Sequence, residues 1–172
     1  MNYLETHSLN HKDMKPTISN GEKIEILENV SSDGLWSPKV GPETIDLMEY
    51  FQREKHLDEE GRMILQGEAL NILSKCTPPQ APANRVTGIA IGYIQSGKTM
   101  SYTTVAALAR DNDYRMLIVI TGISVPLLGQ GSGRLRDDLR LSSRTDHRWQ
   151  PFENPTINDR ISLENTLADW DD

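Results

Sequence analysis

Apolar positions are thinly spread through the first half of the chain and gather into short runs in the second. Ile45, Met48 and Phe51 recur at i, i+3 and i+6 after Pro42, with Glu49, Arg53 and Glu54 outside the stripe. This predicts a helix opening at Pro42, where the missing proline N–H costs nothing. A second helix is predicted over residues 58–75, with Met63, Ala69, Leu70 and Leu73 as its inner face. Upstream, residues 1–20 show no apolar period and read as a loosely held arm. Residues 22–30 fit a short strand or a helical turn equally well. Residues 31–38 form a turn-rich connection in which Trp36 is expected to pack on the domain. His56, between the helices, has no partner at metal-ligand spacing and is expected at the surface. Three prolines within 77–84 then break regular structure and predict a stiff connector.

The second half has a different pattern. Residues 86–91 are a short, mostly apolar run, expected as a strand. Residues 100–110 include Val105, Ala106, Ala107, Leu108 and Ala109 with no Gly or Pro, which predicts a helix. After a polar break at 111–113, residues 116–120 are apolar without alternation. Such a run is expected for a parallel strand covered on both faces. Strand, helix and strand in this order make one right-handed βαβ unit. The loop that follows carries Gly129, Gly131 and Gly133, which suit either a second anion cradle or a mobile loop. Residues 134–141 predict a short charged helix, and 161–170 a weak one near the C-terminus.

Between the first strand and its helix lies GYIQSGKT, residues 92–99. It matches the phosphate-binding loop pattern G-x-x-x-x-G-K-[ST] at every fixed position. Gly92 and Gly97 let successive backbone N–H groups, including those of Gln95 and Ser96, turn inward toward a phosphate. Lys98 adds a positive charge beside the β- and γ-phosphates, and the Thr99 hydroxyl is suited to Mg²⁺. The helix beginning beyond it, from Met100 on, turns its free N–H groups to the same anion. The expected fold is therefore α/β, an incomplete P-loop NTPase core over 85–172 preceded by a helical region with its connector over 1–84. ATP and Mg²⁺ are the expected ligands.

One part of a hydrolytic site is not legible. An ATPase of this kind adds an Asp, or Asp-Glu, at the end of another apolar strand to hold Mg²⁺ and its waters. Asp137-Asp138 and Asp171-Asp172 do not follow such a run. The expectation is that the chain is the N-terminal portion of a longer enzyme, its remainder lying further along or in a partner subunit, and that it does not hydrolyse ATP alone.

Charge and composition narrow the class without choosing within it. The chain has 172 residues and a formal net charge of -7; 37% of its residues are hydrophobic. Residues 1–84 hold 8 basic against 14 acidic residues, and residues 85–172 hold 10 against 11. A globally acidic surface argues against indiscriminate nucleic-acid binding, although not against a local basic patch. Arg136, Arg140, Arg144 and Arg148 recur every four residues and would form one stripe if the helix near 134 continued through them. They suit either nucleic-acid phosphates, through the forked guanidinium, or pairing with acids such as Asp137 and Asp138 on a solvated helix. Cys76 is the only cysteine, so no internal disulfide is possible. No secretory leader or membrane-length apolar run is visible, and a cytoplasmic protein is expected.

Residues 85–140 also carry a resemblance. Tyr93, Ile94, Gln95 and the SGKT that follows, then Tyr114-Arg115, Ile118-Val119, Gly122, Leu128 and Gln130, resemble the start of the ATPase core in helicase-like proteins of superfamily two. More narrowly, they are similar to the bacterial endonuclease family named for its "Z-one" domain, which often has Val where this chain has Ile94. The resemblance implies a RecA-like first domain coupled to nucleic acid, with a Walker B carboxylate pair and a second domain further along; the function expected first is the ATP-binding segment of a helicase-like, DNA-directed ATPase of the kind used in restriction or phage defence. A nucleotide or small-molecule kinase, and a non-catalytic nucleotide-binding or partner-docking module, are the alternatives. Kinases usually carry this loop near the N-terminus, whereas 91 residues precede Gly92.

Overall fold

The computed structural model describes residues 17–19, 22–26, 36–82, 84–92, 98–120, 125–145 and 149–169. Its body is a helical assembly built on one helix, α3 (Lys98–Asp111), against which α1 (Pro42–Glu54), α2 (Glu59–Ser74) and α4 (Val125–Asp138) pack. Thr103, Thr104, Ala106, Ala107, Leu108 and Ala109 of α3 are all buried. Neighbours on several sides require small side chains, and the hydroxyls so buried must be satisfied. Thr103 Oγ1 donates to the Thr99 carbonyl and Thr104 Oγ1 to the Met100 carbonyl, both at 2.8 Å.

α1 begins at Pro42 as its sequence predicts, but the buried stripe differs. Thr44, Leu47, Met48 and Phe51 form it, at i, i+3, i+4 and i+7, while Ile45 is 51% exposed. The shift follows from the polar pair Glu43-Thr44, buried because its partners come from elsewhere in the chain. α2 is capped by Asp58, whose side chain accepts from the Gly61 N–H at 2.7 Å. It buries Leu65, Glu68, Ala69 and Leu73, and leaves Met63 63% exposed.

Two apolar groups result. Leu47, Met48, Phe51, Leu65, Ala107 and Leu139 form one, with Met100 and Trp149 against it. Ala69, Leu73, Leu108 and Ala109 form the other, lined by Trp36, Val40, Tyr114 and Leu117. Trp36 also donates from Nε1 to the Cys76 carbonyl at 2.8 Å. The Tyr114 hydroxyl donates to the Thr77 carbonyl at 2.8 Å, tying the start of the proline connector to the end of α3. Desolvation chiefly, and Cys76 next, pushes the phenol up to about 12.

These findings overturn the α/β P-loop NTPase (RecA-like) core. The described residues fold chiefly into helices, and no parallel sheet occurs among them. What strand structure is assigned consists of β1 (Thr17–Ser19), β2 (Glu22–Ile26) and β3 (Ala90–Gly92), all antiparallel, with Ile24 opposite Gly92. Residues 114–120 have no regular secondary structure, and Met116, Ile118 and Ile120 are 54%, 74% and 89% exposed. Val86 and Ile89, expected in the first buried strand, are exposed as well. The physical reason is that an apolar run becomes a central strand only when layers cover both its faces. Here the helices bury their apolar sides on one another around α3, and of this run only Leu117 is partly buried against their second group.

The segment expected as a glycine loop is also helical. α4 extends from Val125 through Gly129 and Gly133 to Asp138, so the alternatives of a cradle or mobile loop both give way to helix. Packing against α3 and α1 offsets the roughly 1 kcal/mol that each interior glycine costs relative to alanine.

The end of α4 supplies a pH prediction. Asp138 is buried with its Oδ1 3.1 Å from Lys55 Nζ, and Lys55 is half-exposed. Desolvation raises the Asp138 carboxyl above its ordinary value, only partly countered by Lys55. The Lys55 ammonium is also raised, chiefly by its bond to Asp138. A carboxyl raised on folding contributes stability below its unfolded pKa, and loses it as pH climbs through the folded value. Asp138→Asn is therefore expected to gain stability relative to wild type as pH rises from about 4 to about 7, measured by urea unfolding across that range. A constant difference between the two proteins would contradict the buried, ionising carboxylate.

Candidate functional site

α3 opens at Lys98, two residues before the predicted start, so Lys98 and Thr99 occupy its first turn. The leading N–H groups of a helix have no partner within it, and together with the dipole they favour an anion. Lys98 is exposed, whereas Thr99 and Met100 are half-buried. Met100 packs on the group containing Phe51, and the Thr99 carbonyl takes the Thr103 hydroxyl, so this turn is held from the core side. Gly92 closes β3 on the other side of the motif. Gln95, Ser96 and Gly97 lie outside the described residues, as does the whole of 93–97.

The far end of the same helix is anchored by two polar residues. Asp111 accepts from the N–H groups of Gly41, Glu43 and Thr44 at 3.0, 2.9 and 2.9 Å, and from Thr44 Oγ1 at 2.7 Å. It thus caps α1, whose own N-cap residue, Gly41, has no side chain to do so. A Cβ on Gly41 would lie 2.6 Å from Asp111 Oδ1, so glycine is required for the close approach. Asn112 brackets Lys39, accepting from its N–H at 2.8 Å and donating to its carbonyl at 2.9 Å.

The arginines expected on one stripe are separated. α4 ends at Asp138, and Arg140 has a left-handed backbone with φ 53°. Arg136 holds Glu153 at 3.0 Å, and Arg140 pairs with Asp46. Arg144 makes a two-pronged bond to Glu43, Nη1 to Oε2 and Nη2 to Oε1, both at 2.7 Å. Trp149 Nε1 donates to the same Oε2 at 2.9 Å. Arg148 lies outside the described residues. Glu43 is the residue that sequence reasoning missed. It looks like an ordinary first-turn acid, favoured by the helix dipole, and its partner is 101 positions away.

Other chemistry is sparse. Asp137 is exposed and Asp138 is turned to Lys55, on a helix and not at a strand end. His56 is exposed, with φ 55° in the turn between α1 and α2. Among the described residues no group of three or more His, Cys, Asp or Glu is gathered to hold a metal ion. None of the described helices is long and apolar enough to cross a membrane. Compared with known proteins, the chain matches no family model, and no curated protein or solved structure is significantly similar to it.

Proposed function

We propose that residues 92–99 bind the phosphates of ATP, with Mg²⁺, at the opening of α3, and that this chain is the nucleotide-binding part of a nucleic-acid-directed ATPase. The observation that carries the ATP reading is the coincidence of a complete G-x-x-x-x-G-K-T sequence with the first turn of a buried, doubly anchored helix. Lys98 supplies the cation and the Thr99 hydroxyl one oxygen for Mg²⁺. A single protein oxygen suits an ion that keeps several waters and takes its other ligands from the phosphates. Nucleic acid enters this reading only through the resemblance over 85–140, since Arg136, Arg140 and Arg144 are each engaged by a carboxylate.

Charge-assisted bonds to phosphate are worth roughly 1.5–3 kcal/mol each. Lys98→Ala is accordingly expected to weaken ATP binding about tenfold to a hundredfold, read by calorimetry. Unchanged affinity would remove the assignment.

A second reading, nucleotide binding without hydrolysis, is favoured by the position of Asp138, buried against Lys55 and not offered to a metal. Residues 1–172 are then expected to release phosphate from ATP no faster than the Lys98→Ala protein. Turnover that depends on Lys98 would discard this second reading, and with it the expectation that the chain is only part of a longer enzyme and does not hydrolyse ATP alone.

A further inference from the structure

We draw no further inference here: the strongest candidate, the exposed apolar run at residues 116–120 beside the Ala69 and Leu108 group, carries nothing because nothing in the structure shows what covers it.

Discussion

Glu43→Ala is expected to destabilise the protein by about 3–5 kcal/mol, the range found when one member of a buried ion pair is removed. The Glu43 side chain is only 3% exposed and that of Arg144 12%, so water does little to replace the lost partner. Removing the carboxylate leaves a guanidinium and the Trp149 N–H without the acceptor they share. The loss should appear as a lower urea midpoint with an unchanged slope. Because total stabilities are of order 5–15 kcal/mol, the variant stands close to unfolding. Replacing Glu43 and Arg144 together by methionines is expected to cost less than Glu43→Ala, since no largely buried guanidinium is then left without the Glu43 carboxylate, with Asp46 4.0 Å away. Two measurements bear on this. A single-variant loss below about 1 kcal/mol would put the pair in the class of exposed salt bridges and contradict the burial. A double variant worse than the single would show that the pair contributes net stability beyond its own desolvation.

The second large effect is expected at Asp111. Asp111→Ala removes the acceptor of four hydrogen bonds that close the start of α1. Losing an ordinary N-cap costs about 0.5–2 kcal/mol, and this carboxylate serves three backbone N–H groups and a buried hydroxyl. A loss of about 2–4 kcal/mol is expected, at or above the top of the ordinary range. The position is informative because a carboxylate at the C-terminal end of α3 opposes that helix's own dipole. What favours it there is the positive end of α1, brought within hydrogen-bond reach. Asp111→Asn keeps one carbonyl oxygen in place of two and is expected to lose about half as much. Hydrogen exchange gives the local readout. Amides of Thr44 to Met48 should lose protection in Asp111→Ala more than those of α2 do. Equal losses across both helices would mean that the residue acts through global stability alone.

The two predictions concern contacts of one kind. Each joins the first turn of α1 to a segment some 70 to 100 positions away, and each uses a carboxylate to satisfy groups that α1 cannot satisfy itself. Together with Asn112 on Lys39, they hold the segment from Lys39 to Thr44 against the end of α3 and the chain beyond α4. Lys98 lies at the other end of α3. The scaffold behind the candidate phosphate site is therefore polar at its margins and packed with small residues at its centre.

The residues show which of these features local chemistry determines. Pro42 as a first-turn residue, the apolar face of Ala69, Leu70 and Leu73 within 58–75 and the Gly- and Pro-free run at 100–110 were enough to predict α1, α2 and α3 with nearly correct starts. These are signals a helix carries within one or two turns of itself. The GYIQSGKT motif is local in the same sense, and α3 opens at its Lys98. What only the tertiary structure decided is what each element lies against. The run at 116–120 has the composition of a buried strand, yet strand or coil depends on whether a second layer covers it, and here α3 gathers helices instead. Gly129 and Gly133 read as loop, and they are helical because α4 packs on its neighbours. Ile45 reads as core and is exposed, because Glu43 and Thr44 turn α1 toward partners on distant segments; Met63 of α2 also reads as core and is exposed. Local propensity is a property of the residue and its near neighbours, whereas burial and pairing belong to two segments at once, and only the folded chain brings the second segment into place.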